Sequence, residues 1–173
     1  HGMKPYQLTD HPYAGYNYRM TDIQGSIGLT QLTRAKKIIN ERRKIATNYR
    51  LKLKPLDFFQ LPFKNRDYYH SYQSFPCIYD FKNINVNSIQ NINKNRNAFM
   101  ENLQKDGVST RPATHAVHML KYYSSKYGLK PEDYPNARIA NDCSLSFPLY
   151  NGLKENEQDY VIKVIKSNLR CAG

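Results

Sequence analysis

The sequence lacks a long apolar run, a secretory leader and a dense set of cysteines. No stretch of about eighteen consecutive apolar residues occurs, so we expect no transmembrane helix and no membrane association. Basic, apolar and small-residue regions do not follow one another as they do in a signal peptide. The three cysteines, Cys77, Cys143 and Cys171, are widely spaced and odd in number. This usage favours reduced thiols in a cytoplasm over a disulfide framework or a zinc site.

The chain also lacks an initiator methionine. It begins with "HGMKPY", which we interpret as the middle of a longer protein. Its 173 residues are enough for one domain with a core of its own, or for one domain plus an appended element. No internal repeat divides it further.

Acidic residues are scarce, with 14 Asp and Glu against 26 Lys and Arg and a net charge of +12. Such an excess favours anionic partners. Much of the charge lies in lysine- and asparagine-rich segments such as "NINVNSIQNINKNRN" (83–97), which also fit the residue bias of an AT-rich genome. An RNA-binding aromatic motif, a zinc finger and a heptad-linked basic helix are all missing from the sequence. A basic nucleic-acid-binding domain is therefore the weaker alternative.

The stretch "GYNYRMTDIQ" (15–24) places hydrogen-bonding groups directly before a helix. Thr21 and Gln24 have the spacing of a capping box, which predicts that the helix starts near Thr21. Asn17 and Arg19 then lie just upstream of its N-terminus. Free backbone donors, the positive end of the helix dipole and a guanidinium together favour a bound anion.

The apolar spacing predicts an α+β domain that follows a long helix. We expect a connecting segment and long interdomain helix over residues 1–53 and a small C-terminal domain over residues 54–173. The short sheet is expected to be mainly antiparallel, with the proline at 76 at an edge or a bulge. The expected elements are helices over 21–53, 94–107, about 135–142 and 154–169, and strands over 69–81, 108–113 and 143–147.

The glycines and serine near the start of the long helix are costly for helix stability. Gly25, Ser26 and Gly28 therefore suggest close backbone approach to another helix or to a second subunit. Ile23 and Ile27 beside them predict an apolar patch that drives association.

Five motifs in order resemble one family of enzymes. They are "GYNYRMTDIQGSIGLTQL", "HSYQSF", "GVSTRPATHAVHMLKYY", "SLSFPLYNGL" and "EQDYVIKVI", and they are spread over nearly the whole chain. Their order is similar to that in the DegT-type sugar aminotransferases, which are pyridoxal-phosphate (PLP) enzymes of fold type I. The resemblance covers only the C-terminal part of such an enzyme. The lysine that anchors PLP in this family lies before a Gly-Glu-Gly-Gly run, and no such run occurs here.

The resemblance implies roles for four residues. It places Asn17 against the cofactor phosphate of the neighbouring subunit, with Arg19 as a second phosphate ligand or a clamp on a structural carboxylate. His118 corresponds to a histidine near the substrate mouth, and its alternative is a satisfied polar residue in a turn. Arg111 either contacts a diphosphate or carboxylate of the substrate or pairs with an acidic residue of the small domain. No catalytic residue is assigned, and the pair His115 and His118 alone does not predict a metal site.

The family activity that the resemblance implies is amino transfer, with glutamate as the expected donor, to a keto sugar carried on a nucleotide. PLP would be bound mainly by a preceding domain, so we expect the chain alone to be inactive and the whole enzyme to be a homodimer. The alternative is a dimerising domain that performs no chemistry.

Overall fold

The computed structural model of the chain describes Tyr16 and residues 18–170. These residues fall into two compact units that divide between Ala35 and Lys36, within the long first helix. In chain order the elements are α1 (Asp22–Leu53), β1 (Phe75–Ile78), α2 (Ile89–Lys105), α3 (Lys121–Tyr127), α4 (Pro135–Cys143), β2 (Ser144–Phe147) and α5 (Glu155–Arg170). The expected long helix followed by an α+β domain is confirmed.

The sheet consists of β1 and β2, which pair antiparallel with Phe75 opposite Phe147. Pro76 lies opposite Ser146, and because the sheet has two strands, β1 is an edge strand, as the proline predicted. The expected strand over 108–113 is wrong. Only Arg111 forms a β-bridge there, to Ser146, and the next residue is a proline, which has no N–H to continue the ladder.

The core of the larger unit lies between the C-terminal part of α1, the sheet and the helices α2 and α5. Tyr49 of α1 is fully buried, with its ring centroid 5.2 Å from that of Phe75 and 6.2 Å from that of Phe147. Its hydroxyl donates a hydrogen bond of 2.9 Å to the carbonyl of Pro148. One side chain therefore ties α1 to both strands and to the segment that follows β2.

Only the second half of α1 has a buried face, formed by Ile45, Ala46, Tyr49 and Leu53. In the first half the apolar side chains are exposed, with exposed fractions of 73% for Ile23 and 59% for Ile27. No described helix combines the length and the apolar character that are needed to cross a bilayer.

Candidate functional site

The start of α1 has the geometry that the sequence predicts. Gln24 donates its backbone N–H to Oγ1 of Thr21 at 3.3 Å, and Oε1 of Gln24 accepts the N–H of Thr21 at 3.0 Å. The capping box is thus confirmed. The backbone N–H groups of Asp22 and Ile23 have no acceptor among the described residues, so two donors of the first turn remain for a ligand.

The two candidate phosphate ligands lie immediately before this turn. Asn17 is outside the described residues. Arg19 is exposed, two residues before Thr21. The donors of the first turn and the guanidinium fit the phosphate end of PLP, while the carboxylate of Asp22 in the same turn partly offsets their positive potential.

Arg111 is held through its backbone rather than its side chain. The N–H of Ser146 donates to the carbonyl of Arg111 at 2.7 Å, and the N–H of Arg111 donates to the carbonyl of Ser146 at 3.4 Å. The guanidinium is exposed and forms no ion pair with a described carboxylate. The alternative of a structural acidic partner thus finds no support in the described part of the chain. The side chain is available to an anionic ligand.

His118 is buried, with 7% of its surface exposed, in a turn of 3-10 helix over Val117–Met119. Its Nε2 lies 3.4 Å from the carbonyl oxygen of Pro131, and its ring lies 4.9 Å from that of Tyr134 at an interplanar angle of 57°. This is the geometry of a satisfied histidine in a turn. A substrate would reach the ring only after this turn moved, so a contact of His118 with substrate stays a prediction.

The candidate site residues belong to different units. Arg19 belongs to the unit of residues 1–35, and Arg111 and His118 belong to the unit of residues 36–173. The anion-binding turn and the Arg111 segment are therefore two separate candidates. Among the described residues, no group of three His, Cys, Asp or Glu side chains is arranged to hold a metal ion.

The described cysteines are free thiols inside the core. Burial, and after it the charge of Asp142, raises the pKa of Cys143 to about 11, and burial likewise raises the pKa of Cys77. At neutral pH both thiols are therefore protonated and poor nucleophiles. They serve packing rather than chemistry.

His70 and Tyr72 lie in an irregular segment before β1, not in a strand as their sequence suggested. Nδ1 of His70 accepts the backbone N–H of Tyr72 at 2.8 Å, and the two rings stack with centroids 4.2 Å apart. Tyr72 is buried and has a positive φ of 50°. The left-handed residue ends any extended pairing, so β1 starts only at Phe75.

The sequence reading missed a polar network that fixes the loop after β2. Asn151 donates from Nδ2 to the carbonyl of Ile38 and to Oε2 of Glu41, each at 3.0 Å. Arg42 donates from Nε to Oδ1 of Asn151 at 3.0 Å and from Nη1 to the carbonyls of Tyr72 and Gln73. The dipeptide Asn151–Gly152 was the available signal, because Gly152 has φ +92° and marks a tight turn.

Comparison with known proteins gives a family match over most of the chain. The sequence profile of the DegT/DnrJ/EryC1/StrS aminotransferase family matches residues 1–166. The spore coat polysaccharide biosynthesis protein SpsC of Bacillus subtilis is 28% identical and aligns with 91% of this chain and 39% of its own length. The GDP-perosamine synthase of Escherichia coli O157:H7 is also 28% identical, over 90% of this chain and 38% of its own.

The fold is also similar to that of solved sugar aminotransferase structures. The PLP form of the sugar aminotransferase Spr1654 from Streptococcus pneumoniae superimposes with a TM-score of 0.76 at 22% identity, over 89% of this chain and 37% of that one. At that identity the likeness concerns the fold. The chain spans about two fifths of the length of the curated relatives it matches, 37% to 41% among the first four.

Proposed function

Because the chain belongs to the DegT/DnrJ/EryC1/StrS aminotransferase family, we propose that it forms the C-terminal part of an enzyme that transfers an amino group to a nucleotide-linked keto sugar. The observation that carries this proposal is the family match over residues 1–166. The GDP-perosamine synthases among its relatives support a nucleotide sugar as the substrate class. Glutamate is the amino donor we propose.

In this proposal PLP supplies the electron sink that makes amino transfer possible. The chain contributes binding and orientation. Asn17, Arg19 and the first-turn N–H groups of Asp22 and Ile23 hold the cofactor phosphate of the neighbouring subunit in a homodimer. The covalent anchor and the groups around the cofactor ring belong to a preceding domain, so residues 1–173 alone do not catalyse amino transfer.

Arg111 has the substrate role in the proposal. Its backbone is fixed to Ser146, its guanidinium is exposed, and no described carboxylate neutralises it. A planar guanidinium can bind two oxygens of a diphosphate at once. Arg111 therefore orients the nucleotide sugar, and the net charge of +12 helps to attract it.

The experiment compares residues 1–173 with the longer protein that contains them. We expect the longer protein to show the visible absorbance of bound PLP and to aminate a nucleotide-linked keto sugar with glutamate, followed by mass spectrometry. The isolated chain should show neither. Borohydride trapping of PLP on one specific lysine of residues 1–173, with turnover, would refute the inactivity of the chain, and a longer protein without amination activity would refute the enzyme proposal.

A dimerising domain without chemistry is the second candidate. It is favoured by the exposed apolar side chains of the first half of α1, which offer an association surface. A longer protein that dimerises but neither binds PLP nor transfers an amino group would support it.

A further inference from the structure

A basic aromatic surface covers one side of α3. The segment "KYYSSKYGLK" (121–130) contains three tyrosines, three lysines and no acidic residue. Tyr122, Tyr123, Lys126 and Tyr127 are spaced by one, three and four residues, so they lie together on one side of the helix. We call these four residues the α3 face.

The rings of the α3 face form an ordered array. Tyr123 and Tyr127 are nearly parallel, with an interplanar angle of 15° and centroids 6.5 Å apart, while Tyr122 meets Tyr123 edge-on at 5.2 Å. Nζ of Lys126 lies 5.3 Å from the ring centroids of both Tyr122 and Tyr127. It also donates a hydrogen bond of 3.1 Å to the Tyr122 hydroxyl. The ammonium thus holds two rings in place by cation–π contact.

This array is not part of the core. Tyr122 and Tyr127 are 63% and 59% exposed, and Tyr123 is 39% exposed. The helix α3 contacts the turn Val117–Met119. Clustered exposed aromatic rings beside cations are typical of a binding surface.

We propose that the α3 face binds the nucleoside diphosphate half of the substrate. The base stacks on the rings of Tyr123 and Tyr127, and the ammonium group of Lys126 neutralises part of the charge of the phosphates. The choice of a nucleotide rests on the proposed function, which supplies a substrate that combines a flat base with two phosphates. Both chemical features have their complement on this one helix.

The size and the charge of the surface favour a single nucleotide over a nucleic acid. The seven residues of α3 span about 10 Å, which is the reach of one nucleotide. The basic segment is followed, after Pro131, by Glu132 and Asp133, so the run of positive charge along the chain is too short to bind a long nucleic-acid backbone.

Because the chain contains no tryptophan, the fluorescence of one introduced tryptophan reports on its position alone. Tyr127→Trp introduces a single tryptophan within the α3 face, and its fluorescence is followed while GDP or UDP is added to residues 1–173. Phe63→Trp is the matched control, since Phe63 is also exposed, at 78%, and is followed by Lys64, but has no aromatic cluster. We expect saturable quenching in Tyr127→Trp and none in Phe63→Trp.

A second measurement uses the unlabelled chain, so that the result does not depend on the introduced indole. Equilibrium dialysis should show nucleoside diphosphate bound by the wild-type chain. Binding should become weaker by about fivefold or more in Tyr127→Ala, as stacking energies of about 1 kcal/mol or more imply. Lys126→Ala should weaken the diphosphate more than the uncharged nucleoside.

The proposal is overturned if neither measurement detects nucleotide, if pyrophosphate alone binds as well as the nucleotide, or if a single-stranded oligonucleotide binds much more tightly per site. Failure here can be told from failure of the proposed function. A longer protein that aminates nucleotide sugars with an unchanged KM in Tyr127→Ala refutes the α3 face alone. Nucleotide binding by a protein without amination activity supports the α3 face and refutes the enzyme proposal.

Discussion

Arg42 and Asn151, 109 residues apart in the sequence, join α1 to the loop after β2 through a hydrogen bond of 3.0 Å from Nε to Oδ1. The same asparagine donates both protons of its amide, to Ile38 and to Glu41. Every hydrogen-bonding atom of the Asn151 side chain is therefore used by one segment of α1. The loop keeps its position because one short side chain satisfies three groups.

We expect Asn151→Ala to lower the free energy of unfolding by about 1–3 kcal/mol, because Nε of the partly buried Arg42 and the Ile38 carbonyl each lose a hydrogen bond. Chemical denaturation monitored by circular dichroism measures this loss. Asn97→Ala, on the exposed side of α2, is the matched control and should change stability by no more than about 0.5 kcal/mol. Equal stability of the two variants would show that water replaces the network.

In the longer protein, Asn17→Ala should weaken PLP retention by about tenfold or more, since a hydrogen bond to a phosphate contributes about 1–3 kcal/mol. Cofactor occupancy after dialysis is read from visible absorbance. Asn87→Ala, an exposed asparagine of the loop before α2, should retain PLP like the parent. If Asn17→Ala also does so, its phosphate role is wrong and the opening motif is an interface turn.

Arg111→Ala should raise the KM for the nucleotide sugar with PLP occupancy intact, because the guanidinium is proposed to contact substrate and not cofactor. Steady-state kinetics at several substrate concentrations, with absorbance of PLP in parallel, separates the two effects. Arg66→Ala removes another exposed arginine and should leave the KM for the nucleotide sugar unchanged. A loss of PLP in Arg111→Ala would argue against the assignment.

The apolar side chains of the first half of α1 should drive association of the chain. We expect a dimer or larger oligomer by light scattering, and dissociation in the double variant Ile23→Gln, Ile27→Gln. Leu51→Gln alters an exposed apolar residue, 69% exposed, elsewhere on the same helix and should leave the mass unchanged. A monomeric wild-type chain over a wide concentration range would contradict this prediction.

Alkaline pH should destabilise the fold through its buried thiols. Burial raises the pKa of Cys143 from its ordinary value of 9.0 to about 11, so the unfolded chain loses this proton first as the pH rises. The stability gained from Cys143 is complete below about pH 9 and lost as the pH approaches 11. The free energy of unfolding, measured by chemical denaturation at several pH values between about 9 and 11, should decrease less with rising pH for Cys143→Ala than for Cys171→Ala. Identical slopes would mean that Cys143 ionises as in the unfolded chain.

Local signals predicted the starts of α1 and α4. The capping box fixes α1 because both of its hydrogen bonds lie within four residues, and Pro135 fixes the first residue of α4. The start of α2 was misplaced, since Ile89 and Ile92 are buried by tertiary packing rather than marked by a cap. Interactions between residues distant in the sequence therefore determine where α2 begins.

The strands and α3 were harder to predict from the sequence than these helix starts. A left-handed Tyr72 interrupts the alternating segment before β1, and the alternation itself gives no warning of it. The helix α3 has no apolar stripe, because its tyrosines face solvent, so its periodicity is not that of a core helix. The sequence offered Arg111 as a candidate substrate ligand, which stays a prediction, and only the structure placed its backbone beside Ser146.

The pairing of Arg111 with Ser146 uses main-chain atoms alone. Any amino acid other than proline can form it, so the side chain at position 111 can change while the backbone stays attached to Ser146. A saturation library at this codon would vary charge, reach and shape at a constant attachment point. On the proposal that Arg111 contacts the nucleotide sugar, substitutions at this position would alter substrate preference while the main-chain bridge to Ser146 is kept.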